Sequence, residues 1–342
     1  MSVPSRHRLL CPLLACVASC SATRGFGESV GDDNPTSRPD RISQTGLYAS
    51  TTGGALAPGV TKFAPAYPLW SDGSEKTRYL SIPPGTKIDT RDMDGWVFPV
   101  GTKAWKEFRV GGRLIETRLF WKHRPEPGID SWWYVSYVWS ADGGEAIASP
   151  EGTRSALGTT HDVPGEIDCK GCHAYVKDGI IGFSAIELAT PAPGTTTSPD
   201  PATGMLMTFA RSGLFSDPPA SEPRVPGEGV VRDALGYMHA NCGFCHNERL
   251  SALIHRTILL GLRVGDATPE QTGPYTTTFG VKMFHAMEGG ADVAVTPGDP
   301  DKSQLYRRMV SDGLWRMPPK GTKVIDPTGS AAVRAWILGL PR

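Results

Sequence analysis

Gly236-Tyr237-Met238-His239-Ala240-Asn241-Cys242-Gly243-Phe244-Cys245-His246-Asn247 is the stretch on which the reading of this chain turns. Its middle is Cys-x-x-Cys-His. Outward from there, the same pattern occurs upstream as Cys169-Lys170-Gly171-Cys172-His173. One Cys-x-x-Cys could serve zinc or dithiol redox chemistry as readily as any other use. Two matches, each closed by a histidine, point to a single chemistry. Paired thiols at this spacing add across the two vinyl groups of a haem, and the histidine that follows lies under the ring as an iron ligand. The expectation is two haems c, held covalently by Cys169, Cys172, Cys242 and Cys245, with His173 and His246 as proximal ligands.

The other cysteines agree. Of the 7 in the chain, Cys11, Cys16 and Cys20 lie near the N-terminus and the remaining four are all in the two motifs. None is left for a structural disulfide or a zinc site. Arg6 and Arg8 precede an apolar run from Leu9 to Ser19, broken by Pro12 and too short to span a bilayer. Val17-Ala18-Ser19-Cys20 is similar to a bacterial lipobox. Residues 1–19 are therefore expected to be a lipoprotein-type signal peptide, with Cys20 acylated as a lipid anchor to the membrane. Ordinary cleavage, for instance after Ala22, is the alternative. Either way the mature chain is expected to be exported and periplasmic, and the lipobox points to tethering at the outer membrane. Basic and acidic residues balance at 35 each, so nothing marks a nucleic-acid binder.

Composition divides the rest. Residues 20–45 are polar with glycine and proline and are expected to be a flexible tether. Residues 46–150 are expected to form a mainly-β domain, sandwich or barrel-like. Candidate strands are Thr77 to Ile82, Trp96 to Val100, Trp105 to Val110 and Leu114 to Trp121, the last two joined by Gly111-Gly112 as a two-residue hairpin loop. Trp132-Trp133-Tyr134-Val135-Ser136-Tyr137-Val138-Trp139 is apolar on both alternating faces, as in a strand buried between two layers. Its aromatics are read as core rather than as a sugar platform, and His123 beside them as a surface or turn residue.

Residues 151–228 hold the first motif and a Pro-rich linker, Pro191 to Pro201. From 229 the period becomes helical. Val230, Ala234 and Met238 lead into Cys242. Asp299-Pro300 reads as an N-cap with Pro at N1, opening a helix through Leu305, Tyr306 and Met309. Ala332, Val333, Trp336, Ile337 and Leu340 form a final apolar stripe.

Residues 229–342 resemble an all-α class I cytochrome c domain. The likeness rests on Cys242, Cys245, His246, the loop Arg316-Met317-Pro318-Pro319 and the Trp336 helix. It implies Met317 as distal ligand to the iron held by His246, 71 positions earlier. The whole mature chain more loosely resembles bacterial dihaem c-type cytochromes, through Tyr67-Pro68-Leu69-Trp70-Ser71-Asp72-Gly73, Phe98-Pro99-Val100-Gly101-Thr102, Lys106-Glu107-Phe108 and Glu116-Thr117-Arg118.

Two strong axial ligands leave an iron no open position, so such a haem moves electrons rather than transforming substrate. The expected role is an electron carrier or electron-transfer subunit with a redox protein as partner. Lys302, Arg307, Arg308, Arg316, Lys320 and Lys323 around the Met317 loop are either a solvated face or a rim that steers an acidic partner. For the first haem, His161 is the first choice of sixth ligand, followed by Met205 and Met207. His239 either ligates the other haem, orients a propionate or satisfies a backbone carbonyl. A dihaem peroxidase-like enzyme and a haem-bearing sensor are the competing classes.

Overall fold

The computed structural model describes residues 37–50, 54–191, 200–249, 258–283, 285–289 and 291–342. The expected signal peptide and Cys20 lie outside these residues, as does most of the expected tether.

Six strands form one antiparallel sheet in chain order: β1 (Thr61–Phe63), β2 (Glu75–Ser81), β3 (Lys103–Val110), β4 (Arg113–Lys122), β5 (Trp132–Trp139) and β6 (Ala146–Ala148). The N-terminal part is mainly β, as expected, but as one open meander rather than a sandwich or barrel. The β3–β4 hairpin turns at Gly111 and Gly112, whose φ values of +57° and +76° suit a two-residue turn that favours glycine at both places. Trp96 to Val100 does not form the expected strand. Val97 makes one bridge, to Asp89, and Pro99 then accepts the Thr102 N–H at 3.2 Å in a turn. Pro99 has no N–H with which to continue a ladder.

Both faces of the sheet are covered, as the apolar pattern of β5 predicts. On one face Tyr79, Trp105, Leu119, Trp121, Tyr137 and Trp139 pack with Ile42 and Leu47. Residues 38–48 run along that face. Trp105 donates to the Thr45 hydroxyl at 3.1 Å, and the Tyr137 hydroxyl donates to the Pro39 carbonyl at 2.9 Å. The end of the expected tether, before Gly46, is thus part of the core.

On the other face Leu80, Phe120, Trp132 and Tyr134 pack with Cys169, Phe183, Leu188, Phe209 and Phe215. These come from α1 (Glu166–His173), α2 (Ala185–Leu188), α3 (Leu206–Arg211) and their connections. The first motif is therefore built on the sheet.

A separate apolar cluster joins α4 (Gly229–Met238), α5 (Gly273–Thr278), α6 (Gln304–Met309) and α7 (Pro327–Gly339). Asp326 caps α7, accepting the Thr328 and Gly329 N–H groups at 3.0 Å each, with Pro327 at the first turn. Val333, Trp336, Ile337 and Leu340 are buried, as the stripe predicts. The helix expected from Pro300 to Met309 is broken. A 3₁₀ turn, Pro300–Lys302, ends at extended Ser303, whose hydroxyl donates to the Asp299 carbonyl at 2.8 Å and accepts the Thr296 N–H at 2.9 Å. A serine bonded to neighbouring backbone competes with helix continuation.

Candidate functional site

Helix α1 carries Cys169, Cys172 and His173 at i, i+3 and i+4, so all three project from one face. His173 lies on the Phe120 ring, with centroids 4.5 Å apart. Its Nδ1 meets the Gly179 carbonyl at 2.6 Å, which puts the proton on Nδ1 and the lone pair on Nε2. Gly179 is held there by close approach: a Cβ would lie 3.3 Å from Trp132 and its φ is +74°. Burial, then repulsion from Lys106 and Arg118, brings the His173 pKa down to about 4. A neutral imidazole is the form that binds metal.

The second motif is built differently. Helix α4 runs straight into a π-helical turn, His239–Gly243, that contains Cys242. Such turns occur mostly as single-turn bulges within α-helices, frequently at functional sites. The Cys245 and His246 N–H groups then both bond to the Cys242 carbonyl, at 3.1 and 2.8 Å. His246 Nδ1 faces the Ile258 carbonyl at 3.3 Å, the counterpart of the His173 contact. Gly243 needs its missing side chain, because a Cβ there would come within 2.7 Å of Gly261 Cα.

The fold brings the two motifs together. The Cys245 thiol hydrogen-bonds Cys172, and Asn247 Nδ2 donates to the Tyr175 carbonyl at 3.2 Å. All four motif cysteines are unbridged. The bond from Cys245, with Lys320 and Arg118 nearby, brings Cys172 down to about 7, whereas burial pushes Cys169 up to about 11 and Cys242 up to about 12.

Asn241, just before Cys242, is a contact that sequence reading missed. It accepts the Trp70 N–H at 2.7 Å and donates to the Pro68 carbonyl at 3.3 Å. This docks the Tyr67–Gly73 segment against the motif. An Asn directly before the first Cys was the only available signal.

Met317 is half-buried, its N–H bonded to the Arg308 carbonyl at 3.0 Å. Its loop is pinned from the β half. Asp72 accepts the Lys323 and Val324 N–H groups at 2.8 and 2.9 Å, Trp70 donates to the Val324 carbonyl at 3.0 Å, and Lys323 pairs with Asp162 at 2.6 Å. Lys320 reaches over Gly171, where its ammonium lies 3.6 Å from a Cβ built on that glycine. The Met317 loop thus touches the first motif as well as following the second. Much of the basic group around it is used internally: Arg307 and Arg308 bond to the backbone at Met287 and His285, and Arg316 to that of Lys323.

His161 is buried beneath the sheet face. Its Nε2 contacts Glu116 at 2.7 Å, its ring lies 5.3 Å from Phe108, and Arg118 forks the same carboxylate at 2.6 and 3.0 Å. Burial would raise Glu116, but Arg118 and His161 outweigh it and hold the carboxyl below its usual range. Service to an iron through Nε2 would require giving up the Glu116 contact. Met205 packs at the edge of the sheet-side core. His239 accepts the Leu262 N–H at Nδ1, 3.0 Å, rather than donating to a carbonyl, so its proton sits on Nε2.

Among the described residues no group of three or more His, Cys, Asp or Glu is arranged to hold a bare metal ion, and no helix is long and apolar enough to cross a membrane. Compared with protein-family models, curated proteins and solved structures, the chain matches none.

Proposed function

We propose that this chain is an exported dihaem c-type cytochrome that passes electrons between its two haems and a redox protein partner. One observation carries the reading: two Cys-x-x-Cys-His motifs, 73 positions apart in sequence, fold against each other thiol to thiol at Cys172 and Cys245. Haems on those thiols would have adjoining rims, as rapid transfer between them needs.

The residues fit the group. Cys169 and Cys172 would hold one haem and Cys242 and Cys245 the other. His173 and His246 each turn Nδ1 to a backbone carbonyl, the second-sphere contact that orients a metal-bound imidazole. Bound haem iron supplies one-electron chemistry. The protein keeps His173 neutral and aimed, fixes the thiol pairs and backs the His173 ring with Phe120 and Tyr134. Met317 is assigned as the second iron's distal ligand within a class I cytochrome c arrangement of residues 229–342, and His161 remains a candidate for the first iron. Lipid anchoring through Cys20 would keep the carrier at the outer membrane.

A second reading has its own observation. The buried Arg118–Glu116–His161 group beside the first motif is an acid–base set that a peroxide-reducing enzyme could use. Optical spectra in both oxidation states, with added CO or cyanide, separate the two. A carrier is low-spin at both irons and takes up neither ligand quickly. Rapid binding at the first haem, with a high-spin signature, favours the enzyme.

A further inference from the structure

Strand register brings together three cations that sequence keeps apart. Arg78 on β2 is opposite Lys106 on β3, Lys106 is opposite Arg118 on β4, and Arg118 is opposite Ser136 on β5. The whole cross-strand row is polar and lies on the face that packs against α1. The rows beside it confirm that face: Leu80, Ala104, Phe120 and Tyr134 on one side, and Lys76, Phe108, Glu116 and Val138 on the other.

Like charges directly opposite across strands destabilise a sheet. Burying an unpaired charge costs far more. Arg118 is compensated by Glu116. Among the described residues, Arg78 and Lys106 make no salt bridge, although Arg78 is only 7% exposed. Ser136 is 4% exposed and its hydroxyl has no hydrogen-bond partner. Two carboxyls act on Arg78, Glu187 of α2 and Asp200, and Asp200 is paired with Lys62 at 2.9 Å. Among the described residues, Glu187 makes no such pair. Burial pushes its pKa up to about 7 even though Arg78 and Lys106 pull it down, so it is not a full counter-charge at neutral pH. Lys106 is driven well below the usual lysine range by burial and by Arg78, Lys76 and Arg118. Arg78 and Lys106 thus lie side by side on the covered face without a salt bridge, next to a buried hydroxyl that has no hydrogen-bond partner.

The same row lies beside the first motif. Arg118 is close enough to act on Cys169 and Cys172, and both Lys106 and Arg118 act on His173. A haem carries two propionates, and two carboxylates are what Arg78 and Lys106, neither in a salt bridge, would pair with. We propose that the row Arg78–Lys106–Arg118–Ser136 is the carboxylate site for the propionates of the haem carried by Cys169 and Cys172. This rests on the dihaem reading.

The test is potentiometry on the haem-loaded full chain, with haem content read by mass. Positive charge held at a haem favours the reduced state, so Lys106→Met should lower the midpoint potential of the first haem and Lys106→Arg should restore it. The second haem, marked by its methionine-ligation band, should not move. Arg78→Gln is read in the same way and decides the matter if Lys106→Met does not accumulate. An unmoved first-haem potential in a protein that carries both haems overturns the propionate site while leaving the dihaem reading intact. A saturable shift of the wild-type potential by inorganic phosphate, lost in Lys106→Met, also overturns it and makes the row a site for a free oxyanion. A mass without haem on Cys169 and Cys172 overturns both.

Discussion

Met317 and His161, the residues proposed as distal ligands, meet different competition. The Met317 backbone is fixed by Arg308, whereas His161 has its Nε2 on a buried carboxylate. A thioether is a soft, weak donor that favours ferrous iron. Met317→Ala should therefore abolish the long-wavelength ferric band of iron–methionine ligation, lower the second haem's potential and open that iron to cyanide, leaving the first haem spectrally unchanged. Retention of the band would assign the ligand to another methionine, such as Met283 or Met287. Met309 is already committed to the core. At His239, burial moves the pKa from 6.5 to about 4. Between those values the unfolded state binds more protons, so the stability this residue contributes is present above pH 6.5 and lost as pH falls through about 4. Urea midpoints measured from pH 7 to pH 4 should fall, and fall less in His239→Gln, which keeps an acceptor for Leu262. Equal slopes in the two proteins would show that His239 does not carry this loss.

The elements that sequence reading found are those whose signal is local. Trp132–Trp139 and the α7 stripe follow side-chain period, and Gly111-Gly112 follows turn chemistry. Where a single residue overrode the period the reading failed, at Pro99, which lacks a ladder donor, and at Ser303, whose hydroxyl takes over backbone bonds. The cationic row could not be read at all, since Arg78, Lys106 and Arg118 are 28 and 12 positions apart and only register joins them. Both motifs were legible; their contact was not. Helix contacts around the second motif depend on glycines that no pattern flagged. A Cβ on Gly236 would lie 2.1 Å from the Tyr67 ring, and one on Gly329 would lie 1.9 Å from the Tyr237 ring. Overpacking of this kind costs about 1–3 kcal/mol. Gly236→Ala and Gly329→Ala should each lower the denaturation midpoint by that order, and a neutral result would show that the rings can move aside.

At the scale of the molecule, the described residues form one unit in which sheet, first motif and C-terminal helices share contacts. The β half does more than flank the two Cys-x-x-Cys-His motifs. Asn241 holds Trp70, Asp72 holds the Met317 loop, and Phe120 backs His173. Segments on either side of residues 150 and 228 thus contribute to the same contacts. Cys20 lies outside the described residues; if it carries the proposed lipid anchor, Cys20→Ala should release the protein from membranes. A wild type that is already soluble and begins after Ala22 would contradict lipid anchoring. The central claim is the pair of covalent haems, and intact-protein mass tests it most directly. Chain expressed with c-type haem maturation should exceed its polypeptide mass by two haems, and Cys169→Ala or Cys242→Ala should disrupt attachment of one. A wild-type mass with one haem or none, or with bound zinc, would contradict the account.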